Sequence, residues 1–347
     1  MISQTLLHPL VAKSVYFTYC LDRPLQCIAT QYTLGNVMVT SDATAFSLVF
    51  TCGISLLQDT WIPAIKELFR RASESSSCKI QSAWVVERPN HGESALINAK
   101  ILKEHYSVQF LSLQYSTAIH AFLTSNILSA SERNNLVGIG HSGGGGSLIQ
   151  ALKYGVEDGH KIPLKSLVLV EAPPIGPEVW PLFEIMYAGV KKSNARRTTS
   201  WPSKEVAMKW FATHFPWKAF SPDVLRIVED TYFIPDAERP GFITTKTTIE
   251  QETACFVDNG TNLLSFPFLR TILADLPTHI IAGSDHDLWP PGVYDQIVEN
   301  TRQIRVQLAS VTEINGTGHY LPVVNPREMA ARVFEILQNP PPKLSKL

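Results

Sequence analysis

Five consecutive residues, Gly140-His141-Ser142-Gly143-Gly144, constrain this chain more than any other feature. They follow the apolar run Leu136-Val137-Gly138-Ile139 and open a helical stretch, Ser147-Leu148-Ile149-Gln150-Ala151-Leu152. A serine on so tight a strand-to-helix turn must adopt a strained backbone conformation, and only small residues two before and two after it let the chain pass that closely. The turn lifts the hydroxyl clear of a sheet. It also aims backbone N–H groups, at a helix N-terminus, toward the atom that becomes negative when the hydroxyl attacks a carbonyl. Gly138, Gly140 and Gly143 also fit G-x-G-x-x-G, a dinucleotide-binding pattern. That pattern expects an acid at the tip of the next strand about 20 residues on, and Glu171 comes later than that. Two strand-like units also precede the motif, so the nucleophilic reading is preferred.

The rest of the chain supplies a sheet for such a turn. The first 45 residues alternate in the manner of half-buried strands, as in Ser14-Val15-Tyr16-Phe17-Thr18-Tyr19 and Cys27-Ile28-Ala29-Thr30-Gln31-Tyr32. Short continuous apolar runs then take over: Phe46 to Phe50, Ala83 to Val86, Leu136 to Ile139, Leu167 to Val170, His279 to Ala282 and Val311 to Ile314. Amphipathic stretches such as Val108 to Leu128 separate them, and a last helix starts from Asn325 as N-cap with Pro326 at its first position. The alternation predicts an α/β fold, a mostly parallel central sheet with helices on both faces. It breaks between about 173 and 275, where Trp180, Trp201, Trp210 and Trp217 cluster with Met186, Tyr187, Met208, Phe211 and Phe215. We read residues 1–172 and 276–338 as the core, 173–275 as an inserted helical lid, and 339–347 as an extended tail. The lid's aromatics serve either as its own core or as an apolar cover for a substrate.

A serine nucleophile needs a base and an orienting acid. His319, in Gly316-Thr317-Gly318-His319, follows the last strand and precedes the final helix, so it is the expected base; His91, His141 and His286 are placed less well. Two positions compete for the acid. Asp287, in Ser284-Asp285-His286-Asp287, follows the penultimate strand and is narrowly preferred; Glu171, at the end of the strand after the elbow helix, is the alternative, and Asp285 is a third option. The loop Thr51-Cys52-Gly53-Ile54-Ser55 should supply one oxyanion donor, so the pair is the backbone N–H of Ile54 and of Gly143. This chemistry needs no metal and no cofactor.

Composition narrows the setting. Net charge is −1, and 45% of the 347 residues are hydrophobic, which gives no surface for nucleic acid. No apolar run reaches the roughly 20 residues of a membrane span. Five cysteines without close pairing suit reduced thiols. The N-terminus lacks the basic and apolar regions of a signal peptide. The sequence closes on Ser345-Lys346-Leu347, a tripeptide read by the peroxisomal import receptor, after Pro340-Pro341-Pro342. Peroxisomal localisation is the expectation.

Leu48-Val49-Phe50-Thr51-Cys52-Gly53, Arg88-Pro89-Asn90-His91-Gly92-Glu93-Ser94 and Gly140-His141-Ser142-Gly143-Gly144 resemble the successive motifs of the α/β-hydrolase superfamily. More narrowly, Pro89 to Ser94, Val170-Glu171-Ala172-Pro173 and the terminal tripeptide are similar to fungal peroxisomal hydrolases, including the peroxisomal lipase family and hydrolases of host-selective toxin pathways. The resemblance implies the α/β-hydrolase fold and an esterase, lipase or thioesterase activity on a hydrophobic ester or thioester, in lipid or secondary-metabolite metabolism. It departs from the superfamily at Cys52-Gly53, where His-Gly is usual, and at Gly143, where a larger residue is common. Transfer of the acyl group to an alcohol or amine, or cyclisation, would use the same residues. A ligand-binding protein without turnover is the alternative of another class. A homodimer is compatible with the sequence.

Overall fold

The computed structural model describes residues 2–35 and 44–339. Its strands, in chain order, are β1 (Leu10–Cys20), β2 (Pro24–Leu34), β3 (Thr44–Thr51), β4 (Cys78–Val86), β5 (Leu136–His141), β6 (Ser166–Val170), β7 (Ser200–Trp201), β8 (Phe233–Pro235), β9 (Ile243–Thr245), β10 (Thr278–Gly283) and β11 (Ser310–Ile314). Eight of them form one sheet in the order β1-β2-β4-β3-β5-β6-β10-β11. The pairings from β4 through β11 are parallel, and β1 and β2 join as an antiparallel hairpin at one edge. Burial explains the two sequence textures. β5 and β6 are buried at every position and read as continuous apolar runs, whereas β1 is exposed at alternate stretches and carries polar residues. This is the mostly parallel α/β sheet that the sequence predicts.

Each face of the sheet has its own core. The helices Ser112–Thr124, Gly143–Glu157 and Ser265–Ile272 cover one face, packing Phe122, Leu148, Leu152 and Leu269. The helices Ile62–Glu74 and Pro326–Gln338 cover the other with Ile65, Leu68, Met329 and Phe334. The last helix starts as expected: the Asn325 side chain accepts from the Glu328 N–H, and Pro326 occupies the first turn.

Between β6 and β10 the chain leaves the sheet. It forms the helices Trp180–Asn194, Lys204–Phe211, Pro222–Thr231 and Ile249–Ala254, and also a small antiparallel sheet, β7-β9-β8. The sequence predicts a helical segment here, and the structure adds three strands to it; strands of two or three residues are too short to show an alternating pattern. The helix Ser265–Ile272 belongs by packing to the sheet's core. The aromatic residues of the segment divide in two. Trp201, Phe211, Trp217 and Phe233 pack with one another, and Trp180, Phe183 and Tyr187 pack with Leu263 and Trp289. Among the described residues no helix is long and apolar enough to cross a membrane.

Candidate active site

The turn between β5 and the helix Gly143–Glu157 holds Ser142 at φ 53° and ψ −134°, a conformation that residues with side chains rarely adopt. Two glycines permit it. A Cβ on Gly140 would run into the Gly145 backbone, and a Cβ on Gly144 would lie 2.6 Å from the Cys52 carbonyl oxygen. The elbow can therefore form only where strand, helix and the loop after β3 meet backbone to backbone. The Ser142 N–H is tied to the Val170 carbonyl at 3.1 Å, which fixes the turn to the end of β6.

Ser142 Oγ lies 2.8 Å from Nε2 of His319. The histidine sits in the loop after β11, buried, with its own N–H donating to Asp287 Oδ1 at 2.9 Å. Its Nδ1 faces Glu171 Oε2 at 3.4 Å. The other oxygen of Glu171 accepts from the Gly283 N–H at 2.6 Å, so this carboxylate bridges the end of β6, the end of β10 and the imidazole. Glu171 has a positive φ of 46°, a second unusual backbone conformation at the same sheet edge. Of the two carboxylates weighed from the sequence, the narrowly preferred Asp287 thus binds the backbone of the histidine, and Glu171 faces its ring. The physical reason is sheet order: β6 lies between β5 and β10, so the residue after β6 is nearest the line from Ser142 to His319. The 3.4 Å separation is long for a charge-assisted hydrogen bond and would shorten once the ring carries charge.

The loop after β3 is held from below. Tyr115 Oη accepts from the Cys52 N–H at 2.9 Å and donates to the Val86 carbonyl at 2.6 Å. Arg88 Nε donates to the Cys52 carbonyl at 3.2 Å, and the Ser55 N–H donates to His91 Nε2 at 3.0 Å. Burial pushes the pKa of His91 well below its ordinary value, so it stays neutral and can accept. Burial does the same to His141, pushed down to about 3, with the neighbouring His319 adding to the effect. Neutral His141 donates from Nε2 to the His319 carbonyl at 2.9 Å and packs under Gly53. Neither Ile54 nor Gly143 donates its N–H to a protein group among the described residues, and both line the cavity in front of Ser142. None of the supporting contacts from Tyr115, Arg88 and His91 is expected from the sequence. They cross tens of residues, and only the polar Arg88-Pro89-Asn90-His91 run, in a position that proves buried, hints at them.

A cavity of about 300 Å³ opens at this point. Ser142, His319 and Glu171 lie on its floor, with apolar walls that include Met186, Val190, Phe256, Phe266 and Leu269. Of the four clustered tryptophans only Trp217 lines it. Arg197, the end of the basic run after Lys191, also reaches the wall, but its guanidinium is paired with Glu252 at 2.7 and 2.6 Å. His286 packs against the Tyr294 ring and is not among the residues that line the cavity. Ser345, Lys346 and Leu347 lie outside the described residues.

A model of the alpha/beta hydrolase family matches residues 48–332. The chain belongs to that family. No curated protein matches it by sequence. Among solved structures, the peroxisomal alpha-beta-hydrolase Lpx1 of Saccharomyces cerevisiae is 18% identical, with a TM-score of 0.72 over 97% of this chain and 92% of that one. The thioesterase domain from the curacin biosynthetic pathway is 15% identical, with a TM-score of 0.60 over 94% and 99%. The epoxide hydrolase VrEH1 of Vigna radiata is 12% identical, with a TM-score of 0.57 over 96% and 99%. Likeness at these identities shows a shared fold, so what this alpha/beta hydrolase acts on has to be argued from its own site.

The geometry separates the two carboxylates experimentally. In Glu171→Gln the ring loses its charged partner, and kcat should fall on the order of 10³- to 10⁴-fold. In Asp287→Asn the side-chain oxygen can still accept from the His319 N–H, and the loss should stay below about tenfold. Turnover of one ester by both variants, beside their melting curves, checks the assignment; equal losses would refute it.

Proposed function

We propose that this alpha/beta hydrolase is a serine hydrolase that cleaves an ester or thioester of a hydrophobic acyl compound through an acyl-enzyme on Ser142. The observation that carries this reading is the 2.8 Å contact between Ser142 Oγ and a buried imidazole backed by Glu171, at the floor of an apolar cavity.

His319 Nε2 takes the proton as Ser142 Oγ attacks the carbonyl carbon. The carbonyl oxygen becomes an anion and is held by the N–H groups of Ile54 and Gly143. Glu171 stabilises the imidazolium, which then protonates the departing alkoxide or thiolate. Water enters, gives a proton to the same nitrogen and attacks the acyl-enzyme; as the acid leaves, the imidazolium returns that proton to Ser142 Oγ. The fold also serves epoxide opening, but a serine hydroxyl that opened an epoxide would be left as an ether, which water cannot release. The elbow's hydroxyl therefore supports acyl chemistry. An alcohol or amine in place of water would make the same acyl-enzyme a transferase intermediate.

We also read the segment over the cavity as a lid. The part that covers the mouth is narrower than 173–275, because the helix Ser265–Ile272 packs with the core. A peroxisomal destination is supported by Ser345-Lys346-Leu347 and by likeness to a yeast protein whose name places it there.

Two measurements test the proposal. Purified protein should release acid from carboxylic esters or from acyl-CoAs of some chain length, and Ser142→Ala should lower that rate at least about 10³-fold. Turnover that survives in Ser142→Ala rules the mechanism out. For the destination, a fluorescent protein followed by residues 339–347 should collect in peroxisomes and spread through the cytosol once the last three are removed; a diffuse signal from both would count against it.

A further inference from the structure

Arg88 is one of the largest side chains in the protein with almost no exposure, at 1%. A buried guanidinium keeps its charge, and burial without a carboxylate partner is costly. Its Nε donates to the Cys52 carbonyl, and its plane lies over the Tyr115 ring, with Cζ 4.5 Å from the centroid. Its Nη2 is buried and has no partner among the described residues. The adjacent Glu87 does not neutralise it. That carboxylate accepts from the Ser94 N–H, and burial pushes its pKa up to about 8, so at neutral pH it is mostly uncharged.

The free N–H has a direction. The point where a Cβ would sit on Gly143 is 3.2 Å from Arg88 Nη2. The other atoms nearest that point belong to Ile54 and Asn262, which both line the cavity. The residue after the nucleophile therefore has no side chain at the place where a buried cation with no direct carboxylate partner among the described residues approaches the active-site floor. A Cβ at 143 would press on the guanidinium.

We propose that Arg88 is a positioning residue of the oxyanion hole: it holds the Cys52 carbonyl of the donor loop and sets a positive charge behind Gly143, where the tetrahedral intermediate becomes negative. The proposal rests on the serine-hydrolase reading above. The anion that balances Arg88 is then one the reaction itself makes. In the resting protein no carboxylate pairs directly with it among the described residues; at the transition state it faces the oxyanion in a low-dielectric setting, where such interactions are strongest. Purely mechanical support of the loop would not need the charge, because Tyr115 already ties the Cys52 N–H to β4.

The test compares wild type, Arg88→Met and Arg88→Lys with two ligands of one shape. Hexylboronic acid becomes a tetrahedral anion when the serine adds to it, and heptanamide stays neutral. Replacement of a buried charge by methionine is commonly tolerated, and melting curves confirm folding. In Arg88→Met, inhibition by the boronic acid and kcat for the best ester of the panel should weaken together by about 10- to 100-fold. The KM and the heptanamide affinity should stay within about twofold, and Arg88→Lys should recover part of the loss. The proposal is overturned if Arg88→Met equals wild type, if both ligands weaken alike, or if the loss lies in KM alone and only for acyl groups bearing a carboxylate. Wild-type protein that neither turns over esters nor binds the boronic acid would remove the serine-hydrolase reading first, and this proposal with it.

Discussion

The close backbone contact between the elbow and the loop after β3 is the constraint on which the rest of the site depends. Gly144 packs against the Cys52 carbonyl, and Gly140 against Gly145. These contacts bring the elbow, residues 140–145, against the loop after β3, far from it in sequence, and leave Ser142 in a backbone conformation it would not choose alone. The strain is held by the hydrogen bond from the Ser142 N–H to the end of β6 and by the helix that starts immediately after. Because the same contacts position the N–H groups of Ile54 and Gly143, the Ser142 hydroxyl and these N–H groups are set by one packing event. A change at any of the close glycines would disturb both.

Around that contact the protein arranges buried polar groups in neutral or singly charged states. His141 and His91 are kept neutral by burial, one supporting His319 and the other supporting Ser55. Glu87 is pushed toward its protonated form. Arg88 is buried without an ionic partner among the described residues, with Nη2 beside Gly143. An interior of low dielectric makes each such choice consequential. In the account proposed here it lets one cation favour the charge that appears during reaction over the neutral substrate that precedes it.

Much of this was legible in the sequence, for physical reasons that also mark its limit. Strands buried on both faces must be apolar throughout, so β3, β5, β6 and β10 stand out as short runs. The elbow needs glycines at fixed spacing, and His319 lies in a glycine-rich loop at the expected place in the order of elements. The acid was not decidable, because Glu171 and Asp287 both follow strands at one sheet edge. Only the order β5-β6-β10 decides which faces the ring. Tyr115, Arg88 and His91 were hidden as supports of the loop after β3 because their contacts are tertiary. The β7-β9-β8 sheet was hidden because its strands are too short to carry a period.

Acyl chemistry at this site requires a covalent acyl bond to Ser142 Oγ. Rapid acid quench of the protein mixed with an ester it turns over, followed by intact-mass and peptide analysis, observes that bond. The protein mass should increase by the acyl group, located on the peptide that contains Ser142, with no such increase in Ser142→Ala. Turnover with the acyl group on another residue, or with the same adduct in Ser142→Ala, would contradict it.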